Sequence, residues 1–124
     1  MKRDMELVRK ILLAMEADPH GFAADDFTIA GYGQEVIGHH VWLMEQGNLI
    51  TASATTVQRD GSPVALPGTI TWIGHDFLAV VRNDTVWAKV KVVLKDKGLS
   101  LPFTLLQELA LKILAAHVGL PFHE

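Results

Sequence analysis

Residues 35 to 51, reading Glu-Val-Ile-Gly-His-His-Val-Trp-Leu-Met-Glu-Gln-Gly-Asn-Leu-Ile-Thr, constrain the fold more than any other stretch of the chain. With successive side chains about 100° apart, Val36, Ile37, Val41, Leu43 and Met44 share one side of a helix, and His40 falls among them. The opposite side presents Glu35, Gly38, His39, Trp42, Glu45 and Gln46. The spacing predicts a helix over 33–46. Gly47-Asn48 ends it, because Asn substitutes for Gly where the backbone must turn left-handed. The chain then runs directly into Leu49 to Val57, a Thr-, Ile- and Val-rich segment that predicts a strand.

The flanking segments complete a pattern. Leu7, Val8, Ile11, Leu12 and Met15 give a helix over 4–17, with Glu6 and Lys10 paired on its far side. Asp18 to Gly21 stops it, and a short strand is expected over Asp26 to Ala30. The turn cluster Asp60 to Pro63 precedes a returning strand over Thr69 to Ile73. The limbs of that hairpin, the wing, need not pair over their full length, since neither Pro63 nor Pro67 can donate to a ladder. Three helices follow: His75 to Arg82, residues 85–97 capped by Asn83-Asp84, and 102–118. In the last, Thr104 and Gln107 are spaced as a capping box, so a start after Thr104 is the alternative.

The expected fold is therefore α+β: a winged helix-turn-helix with a two- or three-stranded β-wing and additional C-terminal helices. Residues 1–124 form one domain in this reading, with a winged-helix core over 1–84 and a helical extension over 85–124. The extension's last helix carries two apolar stripes. Phe103, Leu106, Leu109, Ile113 and Leu114 make one, and Leu111, Ala115 and Val118 make the other. A monomer core needs one stripe. The second fits either a deeply sunk helix or a homodimer contact.

Histidine is the residue type that invites catalytic or metal chemistry. His20, His39, His40, His75, His117 and His123 show no His-x-x-x-His or His-x-Glu spacing, and adjacent helical residues such as His39 and His40 point too far apart to share an ion. His40 is expected at the core edge, bonded to a backbone group, near His75. The chain has no cysteine, no Gly-x-Ser-x-Gly turn and no glycine-rich phosphate loop after a strand. Asp25-Asp26 is read as a solvated turn. These patterns predict a non-enzymatic protein with no metal or cofactor. Charges interrupt the N-terminal apolar residues, and no window approaches the ~20 apolar residues of a membrane span, so a soluble cytoplasmic protein is expected.

Several stretches together resemble a known but uncharacterised family. They are residues 1–13, 28–34, 40–50 and 85–90, and above all Thr71-Trp-Ile-Gly-His-Asp-Phe-Leu78. The chain resembles the bacterial and prophage family catalogued as domain of unknown function 2513. The resemblance implies a winged-helix fold and a phage-derived gene setting, and it carries over no activity or catalytic residue. One departure is Asn48, where the family tends to have Gly; Asn suits the same left-handed turn.

Two functions then compete. A prophage-associated transcriptional regulator would read double-stranded DNA through the second helix and wing, with Gln34, Glu35, His39, Trp42, Gln46 and Arg59 as the contact set. Charge opposes it. Residues 11 to 58 contain no Lys or Arg but carry Glu16, Asp18, Asp25, Asp26, Glu35 and Glu45, and the net charge is −3. The alternative is a protein-interaction or dimerisation module that does not bind DNA. There Trp42 serves as an exposed anchor, or packs on the loop around Phe22, and Leu111, Ala115 and Val118 supply the homodimer contact.

Overall fold

A computed structural model describes residues 2–17, 27–57, 63–97 and 101–119, with the side chains of 54–57 and 97 outside that description. Among these residues the order is α1 (Met5–Ala17), α2 (Gln34–Gln46), β1 (Ile50–Val57), β2 (Pro63–Ile70), α3 (Trp72–Val81), α4 (Asp84–Lys97) and α5 (Phe103–His117). The protein is α+β, with five helices and a two-stranded antiparallel sheet. The expected stop at 18–21, the Phe22 contact, the Asp25-Asp26 pair, the turn at 60–62, Arg59, His20 and His123 lie outside the described residues. So do Gly98 and Ser100.

The chain divides into two compact units, Met1–Asp76 and Phe77–Glu124. The division falls inside α3 rather than at residue 84. Phe77 stacks at a tilt on Phe103 of α5, with ring centroids 4.8 Å apart, so the later part of α3 belongs with the C-terminal helices.

In the first unit, α1 packs on α2, and both meet the hairpin. Leu7, Val8, Ile11, Leu12 and Met15 of α1 are buried, as are Ile37, Val41 and Met44 of α2. The apolar spacing of both helices thus reports their inward faces. Burying each such side chain favours folding by roughly 1.5–3 kcal/mol.

The link from α2 to β1 is a Schellman turn. Asn48 takes φ 63°, its N–H donates to the Glu45 carbonyl at 3.0 Å, and the Leu49 N–H donates to the Met44 carbonyl at 2.9 Å. Leu49 and Met44 are both buried beside it.

Two sequence expectations need correction in this unit. No strand spans 27–30: the Tyr32 N–H donates to the Ile29 carbonyl at 3.2 Å, closing a turn instead, while Phe27 is buried. The returning strand is Pro63–Ile70, not Thr69 to Ile73. The prolines do not shorten the pairing. Val57 faces Pro63 and Ala52 faces Pro67, and register shifts between Ile50 and Ala52 and between Ser53 and Thr56 absorb the irregularity.

The strand ends at Ile70 because Thr71 starts a helix. Its hydroxyl accepts from the Gly74 N–H at 3.0 Å, and its carbonyl accepts from the His75 N–H at 2.9 Å. Its own N–H donates to the Leu49 carbonyl at 3.0 Å, and its hydroxyl donates to the Asn48 carbonyl. The β-branched run Thr69 to Ile73 reads as strand by composition, but this capping bond ends the strand three residues earlier, at Ile70.

In the second unit, Asn83 caps α4 as expected, its Oδ1 accepting from the N–H groups of Thr85 (2.9 Å) and Val86 (3.0 Å). Val86, Trp87 and Val90 are buried along α4, and Leu106 and Ala110 along α5. Helix α5 begins at Phe103 behind Pro102, so the later start after Thr104 is not taken.

Candidate interaction surface

Helix α2 carries most of the residues singled out by sequence, and β2 lies along it. A Cβ on Gly38 would stand 3.0 Å from Cβ of Val64, so a glycine here lets helix and strand approach closely. His39 is tied to the same strand, its Nδ1 lying 3.1 Å from the Pro63 carbonyl. That oxygen only accepts, so Nδ1 carries the proton. The His39 ring stacks on Trp42, centroids 5.7 Å apart and planes 26° from parallel.

Gln34, Glu35 and Gln46 are exposed, whereas His39 and Trp42 are half-buried. The expected outermost indole on α2 is therefore corrected: Trp42 lies under a histidine that the hairpin holds in place. The helical count could not show this, because it assigns faces without knowing where the hairpin folds back.

The inward neighbour of His39 has a different task. His40 is fully buried, its Nδ1 2.9 Å from the Val36 carbonyl and its Nε2 2.8 Å from the Asp4 N–H. Burial pushes its pKa below the usual 6.5, against smaller opposing effects from the Val36 carbonyl and the Asp4 carboxylate. It is a neutral core histidine bonded to backbone, as its place in the apolar stripe implied. His75, by contrast, is exposed.

Asp4 caps α1, its Oδ1 accepting from the N–H groups of Glu6 (2.9 Å) and Leu7 (3.3 Å), and its Oδ2 accepts from the Tyr32 hydroxyl at 3.2 Å. Burial and then the nearby Asp4 carboxylate raise the Tyr32 pKa.

This arrangement draws two cations of α1 inward. Arg9 is buried, and the Lys10 ammonium sits 5.6 Å from the Tyr32 ring centroid. Among the described residues no buried side-chain polar atom lacks a hydrogen-bond partner, and no group of three His, Asp or Glu residues is placed to hold a metal ion. No helix among them is long and apolar enough to cross a membrane.

Among the described residues the most exposed large apolar side chain lies elsewhere. Trp72, the first residue of α3, is 83% exposed, and Ile73 beside it is 48% exposed. Sequence reading missed this pair by placing both in a strand. Their signal was the position of Thr71 and Gly74 around them: those two residues hold the backbone, which leaves the intervening pair turned out. Leu111 of α5 and Val118 just past its end are exposed, but Ala115 between them is buried. Of the stripe Leu111, Ala115 and Val118, only the two outer residues are therefore open to solvent.

These elements define a small α+β chain in which two helices lead into an antiparallel hairpin, followed by further helices. The chain belongs to the family described as "Hypothetical protein (DUF2513)", whose profile matches residues 2–100. An uncharacterized protein of Haemophilus influenzae is 33% identical over 118 residues, covering 93% of this chain and 97% of that protein. No solved structure matches this chain.

Proposed function

We propose that this chain is a non-enzymatic protein-interaction module that forms a homodimer, built on a winged-helix-like first unit and using exposed apolar side chains away from α2. The observation that carries this reading is Trp72, an indole 83% exposed at the start of a helix whose backbone is fixed by Thr71. Rigidly held aromatic side chains with apolar neighbours are the usual anchors of protein contacts. Leu111 and Val118 give the second unit exposed apolar side chains of its own. The test is quencher access to Trp72, read as the difference between wild type and Trp72→Phe at rising protein concentration. Access should fall as the dimer forms; access independent of concentration would overturn the proposal.

A second reading is a prophage-associated transcriptional regulator that binds double-stranded DNA. The order helix, helix, hairpin and the exposed Gln34 and Gln46 favour it. The acidic α2, the buried Arg9 and the occupied Lys10 weigh against it, since phosphate neutralisation supplies most of the affinity. Titration of labelled duplex at low and moderate salt separates the two. Saturable binding that weakens steeply with salt would favour the regulator.

A further inference from the structure

The buried His40 is held by two groups that cannot exchange roles. The Val36 carbonyl only accepts, so the ring proton sits on Nδ1. The Asp4 backbone N–H only donates, so Nε2 must offer a lone pair. The ring is thus confined to one neutral tautomer. A second proton has no place except Nε2, where it would meet the Asp4 N–H head-on.

The consequences reach beyond one bond. Asp4 is also the cap of α1 through Oδ1, the partner of Tyr32 through Oδ2, and the acceptor of the Val8 N–H through its carbonyl at 3.1 Å. We propose that Asp4, Tyr32 and His40 form an acid-released latch. Neutral His40 holds the first turn of α1 to α2, and protonated His40 lets that turn go.

Among the described residues the charges around the ring are few. Helix α1 brings the Asp4 carboxylate, with Glu6, Arg9 and Lys10 further along, the segment before α2 brings Tyr32, and α2 itself brings His39, edge-on at 6.1 Å. Strands β1 and β2 contain no titratable side chain. The Asp4 carboxylate favours the imidazolium, but burial is the larger effect and disfavours it. The latch therefore stays closed at neutral pH and opens on the acid side of the ordinary histidine range.

The test follows amide hydrogen exchange and the His40 ring nitrogens by NMR on the full chain, from neutral to mildly acidic pH. Protection factors correct for the intrinsic pH dependence of exchange. The Glu6, Leu7 and Val8 amides should lose protection on the order of 10-fold or more with the His40 midpoint, while Leu114 and Val118 stay protected.

Asp4→Asn keeps an oxygen for the cap but removes the charge that favours the imidazolium, so the midpoint should move to lower pH. His39→Gln should leave the step in place, and His40→Gln should abolish it. First-turn amides that stay protected through the His40 titration, a ring protonated on Nε2 at neutral pH, or simultaneous loss of protection in α5 would each overturn the latch. If His40→Gln does not fold, the Asp4→Asn midpoint and the ring tautomer still decide.

Discussion

Gly74 and Leu49 are in contact so close that no other residue type fits at position 74: a Cβ there would overlap the Leu49 carbonyl oxygen and crowd the Ile70 side chain. The same carbonyl accepts from the Thr71 N–H. The turn after α2 and the first turn of α3 are therefore one joint, closed by Thr71 and Gly74. Gly74→Ala is expected to cost about 2–3 kcal/mol by forcing backbone apart in a packed region. Urea unfolding reads it directly, and a cost near zero would show that the joint gives way freely.

Gly38 and Val64 make a subtler pair, because the 3.0 Å that would separate a Cβ on Gly38 from Val64 is tight rather than impossible. Ala in place of Gly within a helix favours folding by about 1 kcal/mol when space allows. Gly38→Ala alone should therefore be neutral or destabilising. In a Val64→Ala background the same change should stabilise. A double-mutant cycle by urea unfolding measures the coupling, and additive effects would contradict the close approach.

Asn48 holds a left-handed backbone without being glycine. Asn48→Gly should be neutral or mildly stabilising, whereas Asn48→Val should cost about 1–2 kcal/mol. Both follow from thermal or urea unfolding; equal tolerance of Gly and Val would show that the turn is not confined to that conformation.

Stability should fall on the acid side through His40. Its folded-state pKa lies below 6.5, so between that value and 6.5 the unfolded chain binds the proton and the folded chain does not. The stability tied to neutral His40 is thus complete above about 6.5 and declines as pH drops below it. The readout is the unfolding free energy of wild type minus that of His40→Gln, measured at neutral and mildly acidic pH. A difference that grows toward acid would reverse the sign.

Much of this was legible in the chain. The stripes Leu7 to Met15 and Ile37 to Met44 report the two inward faces because those apolar side chains are the ones the core takes up, and His40 within the second stripe reads as a core residue. Asn48 and Asn83 announced a turn and a cap through local chemistry that acts within a few residues.

The misread features depend on distant partners. Thr71 ends the strand by capping α3, and it is held in that role by bonds to Asn48 and Leu49, more than twenty residues away, which composition does not encode. Trp42 was expected to be outermost because periodicity cannot say that Pro63 holds His39 over it. Ala115 shared a stripe with Leu111 and Val118, yet only the fold shows that it is buried.

The dimer reading meets its most direct test in sedimentation velocity of wild type and Trp72→Ala, side by side over a wide concentration range. A side chain 83% exposed contributes little to the monomer, so the substitution should change stability by less than about 0.5 kcal/mol. Wild type should pass from monomer to dimer as concentration rises, and Trp72→Ala, equally stable, should remain monomeric well beyond that point. A wild type that stays monomeric throughout, or a variant that dimerises as well as wild type, would contradict the account.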